Sequence, residues 1–186
     1  MPATTKGMFF NVAFKLITAK GHAELIEKIS KKLGKPLKYI DFFDYPIEEF
    51  MLIVEEAIKY IYPDKKFEEA LYILSEESFD LIMQTPIIKA VLSGAKKNMQ
   101  NIAKRIPFIY EQFNHFGKIS IIDLKEKNCV IAFKNYKTYP ELQQGFLQRT
   151  FDFLKLNHTV ELNIHKFKNN GNGDITADFD ISLKWG

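Results

Sequence analysis

From Ile175 to Trp185 the sequence alternates without interruption. Ile175, Ala177, Phe179, Ile181, Leu183 and Trp185 are apolar, and Thr176, Asp178, Asp180, Ser182 and Lys184 between them are polar. Successive side chains of an extended chain point to opposite faces, so a period of two gives one buried face and one wetted face. That is the mark of an antiparallel sheet covered on one side. It also constrains everything upstream, because the rest of the chain must supply partner strands and a cover.

The partners are legible. The run Asn169-Asn170-Gly171-Asn172-Gly173 reads as a turn. Ahead of it Val160, Leu162 and Ile164 alternate with Glu161, Asn163 and His165, which predicts a hairpin. Ile119, Ile121 and Leu124 predict an earlier strand, and Cys129 to Phe133 another, joined by a polar turn over 125–128. Between the two pairs, Thr138-Tyr139-Pro140 opens a helix with Leu142, Phe146 and Phe153 on one face. Gly145 lies on the same side, where it lets the helix approach a neighbour closely. The order is strand–strand–helix–strand–strand.

Ahead of residue 117 the apolar period is helical. Phe10, Phe14 and Ile17 form one stripe; Leu25, Ile29 and Leu33, stopped by Gly34, form a second. Tyr45-Pro46 begins the clearest helix, with Pro46 in its first turn and Glu48 and Glu49 near the positive end of its dipole. Phe67, Ala70, Leu71, Leu74, Phe79 and Ile82 predict another, with a break or bend near Ser75. Thr85-Pro86 predicts a short helix to about Ser93-Gly94. The stripe Met99, Ile102, Ile106, Ile109 and Phe113 contains Pro107, which is expected to kink or split it, and Asn114, His115 and Gly117 to end it. Residues 1–6 are polar and expected to be disordered, and 35–45 to form a loop.

The fold class expected is therefore α+β, an N-terminal helical lobe (about 8–115) packed on a C-terminal antiparallel sheet subdomain (about 117–186). The 186 residues fit a single domain, 1–186. A chain this long buries roughly 70% of its unfolded surface without a metal or disulfide staple.

Composition excludes several functions. A net charge of +3 is too mild to imply nucleic acid. Cys129 is the one cysteine, so there is no disulfide framework and no cysteine metal cluster; its alternation with Ile131 and Phe133 marks it as a small buried residue. Lys15 interrupts the apolar stretch from Met8 too soon for a signal sequence. No apolar run approaches the ~20 residues that span a bilayer. A cytoplasmic location is expected.

No catalytic or metal motif is present. His22, His115, His158 and His165 have neither H-x-x-x-H nor H-E-x-x-H spacing. His115 is placed to complement the dipole at a helix C-terminus, between an aromatic-rich helix and the sheet. The carboxylates of Asp41, Asp44, Glu48 and Glu49 read as a helix start. Lys96, Lys97, Lys104 and Arg105 read as a solvated surface. The Gly171-x-Gly173 pair lies between strands, with no helix N-terminus after it to hold a phosphate.

The order of elements carries a resemblance. So do Lys6-Gly7-Met8-Phe9-Phe10, Tyr45-Pro46-Ile47-Glu48-Glu49, Thr85-Pro86, Asn114-His115-Phe116-Gly117, Tyr139-Pro140 with Gly145, and Leu183-Lys184-Trp185. The chain resembles an uncharacterised family of myxobacterial paralogues. Through it, the chain is similar to the superfamily of heme nitric-oxide/oxygen (H-NOX) domains, 4-vinyl-reductase-like domains and TRAPP Bet subunits. H-NOX domains hold heme through a His on the helix before the sheet and a Tyr-x-Ser-x-Arg motif after the second strand. Here that helix carries Met99, Ile102 and Ile106, and the motif segment is Phe133-Lys134-Asn135-Tyr136-Lys137. Both departures argue against classical H-NOX heme, and the cofactor stays unknown. The resemblance instead implies a non-catalytic ligand-binding or sensory domain with an apolar cavity, as TRAPP Bet subunits hold an acyl chain. Phe10, Phe14, Phe108, Phe113, His115 and Phe146 are its candidate lining. The partner expected is a hydrophobic small molecule, with a homodimeric interaction module or a divergent heme sensor using His115 as alternatives.

Overall fold

The computed structural model of the chain describes residues 2–84, 99–155 and 157–186. Among them are helices α1 (Gly7–Ala19), α2 (Ala23–Leu33), α3 (Ile47–Ile61), α4 (Phe67–Ile82), α5 (Met99–Phe113) and α6 (Pro140–Phe153). The short helix expected from Thr85 and the residues Lys96 and Lys97 lie outside the described residues.

The strands form two antiparallel sheets. β1 (Thr4–Lys6), β2 (Asp44–Pro46) and β3 (Asn114–His115) make a small one in the order β2-β1-β3. β4 (Lys118–Lys125), β5 (Asn128–Tyr136), β6 (His158–Asn169) and β7 (Ile175–Trp185) make the main one in the order β4-β5-β7-β6. The expected strand–strand–helix–strand–strand ending is present, with α6 between the two hairpins. The fold is α+β.

The alternation in β7 sets the register of the main sheet. Ile175, Ala177, Phe179, Ile181 and Leu183 are fully buried. Burying each of the larger ones is worth about 1.5–3 kcal/mol. A one-residue slip would put Asp178 and Asp180 in their place, so competing registers are strongly disfavoured. Leu147 and Phe151 of α6 and Ala103, Ile106 and Tyr110 of α5 pack on this face. A second core joins α1, α2, α3 and the first half of α4. Met8, Val12, Phe79, Ile82 and Met83 form a third cluster between α1 and α4.

Four local expectations differ from what is found. Residues 4–6 are ordered as β1, held by pairing with both Pro46 and His115. Pro46 closes β2 and caps α3 from outside, so that helix begins at Ile47. α4 runs through Ser75 unbroken, because the buried Ser75 hydroxyl donates to the Leu142 carbonyl of α6. α5 is not split at Pro107 but continues across it as one helix. His115 therefore lies past the helix, in a strand.

β5 also departs from simple alternation. Cys129, Ile131 and Phe133 face inward, but the next inward residue is Tyr136. The register shifts between Phe133 and Tyr136, where Asn135 has φ +50°. This bulge turns Tyr136 onto the core face. The Asn135 N–H is held by the Asp178 carboxylate at 2.6 Å.

Among the described residues no helix is long and apolar enough to cross a membrane.

Candidate functional site

An apolar cleft of about 120 Å³ lies where α1, α3 and α4 meet α5 and α6. α1 contributes Phe9, α3 Phe50 and Val54, α5 Phe113, and α6 Leu142 and Phe146. Helical spacing explains the set: Phe50 and Val54 are four apart, as are Leu142 and Phe146, so each pair shares one face. The rings of Phe9 and Phe50 stand 6.3 Å apart and those of Phe9 and Phe113 5.9 Å, the latter edge to face. A smaller pocket of about 30 Å³ shares Phe9, Phe50 and Val54 and continues toward Ala57 and Ile61. None of the described residues lining the cleft is charged. Its polar margin comes from Thr5, Ser75, Ser78, Asn114, Thr138 and Gln143.

Tyr110 and Asn114 form the wall between this cleft and a second hollow of about 330 Å³. The hollow is polar-rimmed, bounded by Glu111, His115, Gly117 and Tyr136 among others. Its corner is fixed by a hydrogen-bond chain. The buried Thr5 hydroxyl donates to Asn114 Oδ1 at 2.8 Å, and Asn114 Nδ2 donates to the Tyr110 carbonyl at 3.4 Å. This ties β1 to the end of α5.

Among the described residues, two buried side-chain polar atoms have no hydrogen-bond partner, the hydroxyls of Tyr110 and Tyr136. Tyr110 is 9% exposed and Tyr136 0%. The two rings flank Phe133, with centroids 5.9 and 5.1 Å from it and edge-to-face geometry in each case. Burial pushes both phenols well above their ordinary range, and the electrostatic influence of Tyr110 raises Tyr136 further. Both hydroxyls stay protonated and can donate.

The residues singled out in the sequence fall in different places. Phe113 and Phe146 line the cleft, and His115 lines the hollow. Phe10 is fully buried in the helical core, stacked on Tyr39 at 4.1 Å, and Phe14 lies 5.8 Å from the same ring. Neither lines the cleft. Phe108 is 63% exposed. It stands two positions after Ile106, and at about 100° per residue that turns it to the outer side of α5. Phe9, Phe50, Tyr110 and Tyr136 belong to the site and were not picked out. Phe9 sits in a run that is apolar all round, where periodicity cannot choose a face. Tyr136 is brought in by the bulge.

The titratable groups outside this region are engaged elsewhere. Asp44 pairs with Lys6 at 2.8 Å and lies 4.0 Å from His115. Asp41 accepts from Asn11, and Glu49 pairs with Lys35 and accepts the Tyr39 hydroxyl. His165 pairs with Asp180 at 2.7 Å, and His158 lies 2.8 Å from Gln148. Among the described residues no three His, Cys, Asp or Glu side chains group together to hold a metal ion.

Solved structures of H-NOX proteins share this arrangement. A point mutant of the unliganded Fe(II) H-NOX protein from K. algicida is 14% identical, with 97% of this chain and 96% of that one covered and a TM-score of 0.74. A mutant H-NOX from T. tengcongensis is 10% identical, with 97% of each chain covered and a TM-score of 0.69. An oxygen-binding H-NOX domain related to soluble guanylate cyclases is 9% identical, covering 97% and 94%, with a TM-score of 0.70. At such identities the likeness is one of fold. No curated protein matches the chain. The chain belongs to the family described as protein of unknown function (DUF2378), whose model matches residues 1–172.

Proposed function

We propose that this chain is a non-catalytic, ligand-binding domain of sensory type, which takes a small hydrophobic molecule in the cleft between α1, α3 and α4 on one side and α5 and α6 on the other. The observation that carries the reading is the cleft itself, an uncharged space walled by Phe9, Phe50, Phe113 and Phe146 from four different helices. A cavity of about 150 Å³ lined by apolar side chains admits benzene, and this cleft is of comparable size. The H-NOX fold supports the sensory part, since one of its members is described as oxygen-binding and related to soluble guanylate cyclases.

A porphyrin does not fit this site. The cleft of about 120 Å³ is well below the roughly 300–1,000 Å³ of pockets for drug-sized ligands. Its described lining offers no His, Cys or Met to an iron, and His115 stands in the neighbouring hollow. The domain reading is accordingly one in which the H-NOX scaffold is kept and the guest is smaller and metal-free.

Thermal melting of the purified chain with toluene, indole and short alkanes tests the proposal. A rise in Tm that saturates with concentration is expected, because a ligand bound to the native state alone stabilises it by mass action. Melting curves unmoved by every compound would overturn it. Hemin titrated into the same protein is expected to give no ligated Soret band.

A further inference from the structure

The cleft and the smaller pocket beside it share Phe9, Phe50, Val54, Leu74, Ser78 and Ile82 as lining residues. Leu74, Ser78 and Ile82 are spaced four apart on α4, so they form one stripe along the face it turns to both spaces. Five of the six shared side chains are apolar, and a hydroxyl interrupts the stripe at its centre. Ser78 is also the single polar residue among the described lining of the smaller pocket. A polar side chain set among apolar ones costs stability unless something satisfies it, and such breaks in pattern mark functional positions. The hydroxyl is not spent on the protein. A serine or threonine inside a helix can donate to the carbonyl four residues back. Thr18 does so to Phe14 at 2.8 Å and Thr150 to Phe146 at 2.7 Å. At the cleft margin Ser75 donates to the Leu142 carbonyl, Thr5 to Asn114, and the Gln143 amide to the Thr138 hydroxyl. Among the described residues the Ser78 hydroxyl makes no such bond. Ser78 is half-buried rather than sealed, so it keeps accessible surface on the space it lines.

We infer that the ligand spans both spaces and carries one neutral carbonyl oxygen between two apolar parts, and that this oxygen accepts a hydrogen bond from Ser78. The inference rests on the cleft reading and adds the ligand's shape and polarity to it. The cleft, at about 120 Å³, takes the larger apolar part, and the pocket of about 30 Å³ takes a short tail. Ser78 belongs to the wall common to both, so the polar atom lies inside the ligand rather than at its end. None of the described residues lining either space is charged. An ionised group would lose its hydration there without compensation, which excludes carboxylates and amines. A carbonyl oxygen accepts and brings no donor that must itself be satisfied, which matches one uncommitted hydroxyl. A small aryl alkyl ketone has the required chemistry.

Propiophenone and propylbenzene differ only in a carbonyl for a methylene, and they make a matched pair of probes. Both are titrated by calorimetry into the wild-type chain and into Ser78→Ala, which removes the oxygen and keeps a good helix former. The ratio of affinities, ketone over hydrocarbon, is expected to fall about fivefold from wild type to the variant, the worth of one net hydrogen bond. Propylbenzene should bind the variant at least as tightly as wild type, because it no longer strands the hydroxyl. That result also shows the variant folded and its cleft intact. An unchanged ratio would overturn the inference and leave the cleft reading standing. Loss of both probes by Ser78→Ala would assign the serine to structure alone and overturn it too. Wild type that binds toluene but neither propyl probe would overturn the span across both spaces, with the cleft reading intact. Failure of toluene as well would overturn the cleft reading, and this inference with it.

Discussion

A Cβ added at Gly117 would stand 2.9 Å from Cδ2 of Tyr136 and 2.8 Å from the Lys134 carbonyl oxygen. Gly117 also has φ +62°, a left-handed conformation that L side chains resist. The glycine just ahead of β4 thus leaves the room into which the bulge in β5 turns Tyr136. Gly117→Ala is expected to destabilise the protein by about 1–3 kcal/mol, from strain at a positive φ added to overpacking. Urea unfolding followed by circular dichroism measures this. An unchanged midpoint would show that Tyr136 can move aside without loss.

Tyr136→Phe should have the opposite effect on the ligand-free chain. Removing a buried hydroxyl that has no partner removes a desolvation penalty of about 1–3 kcal/mol and leaves the ring packing intact. Each kcal/mol gained corresponds to a rise of roughly 2–4 °C in Tm for a chain of this size. A site residue whose loss stabilises the fold is the pattern expected when structure gives way to binding. A Tm lowered by the substitution would show that the hydroxyl is satisfied in the free protein.

These two residues also show where sequence reading stops. The inward set of β7 is legible because one face of an antiparallel strand is buried along its whole length, as the full burial of Phe179 and Ile181 attests. The same reading put Ile164 of β6 inward, yet it is 42% exposed. That edge strand shifts register between Ile164 and Lys166. Periodicity also cannot see β1, where Thr4 and Thr5 are polar and gain their order from strands about forty and more than a hundred residues away. Of the site, the helix stripes yield Phe113 and Phe146. Tyr136 requires the backbone at Asn135, and Tyr110 is informative only once its hydroxyl is known to lack a partner. Local pattern fixes faces; the cleft comes from how faces from distant elements meet.

One such meeting is between α4 and α6. A Cβ at Gly145 would stand 2.6 Å from the Tyr72 carbonyl oxygen and 3.1 Å from the Ser75 Cβ. One turn from that contact the Ser75 hydroxyl donates to Leu142 O. Gly145→Val is expected to cost about 1–3 kcal/mol by forcing the helices apart. Ser75→Ala is expected to cost about 1 kcal/mol, the net worth of a buried hydrogen bond. The double variant should lose less than the sum, because separation of the helices by the valine already breaks the serine's bond. Chemical unfolding of the four proteins checks this, and strict additivity would show that the two contacts act independently.

Stability is expected to fall in alkali. Burial, helped by the nearby Asp123 carboxylate, pushes the Cys129 thiol up to about 11. Burial followed by the carboxylates of Glu76 and Asp152 pushes Tyr72 up to about 12. Tyr39, Tyr62 and Tyr139 are pushed higher, first by burial and then by Glu49, Glu77 and Glu55, whose carboxylates accept their hydroxyls. In the unfolded chain a thiol ionises near pH 8.5 and phenols near pH 10 (both approximate). Above those values the unfolded state has released protons that the native state still holds, so unfolding becomes more favourable as pH rises. The stabilisation is complete below about pH 8.5, and Cys129 loses its share between there and about pH 11. Tyr72 loses its share between about pH 10 and 12. Urea midpoints should be flat from pH 7 to 8, decline through pH 9 and drop steeply beyond pH 10. In Cys129→Ala the first, shallow decline should be absent while the steep phenolic drop stays in place. A wild-type midpoint that holds constant through pH 11 would contradict the burial of these hydroxyls and of the thiol.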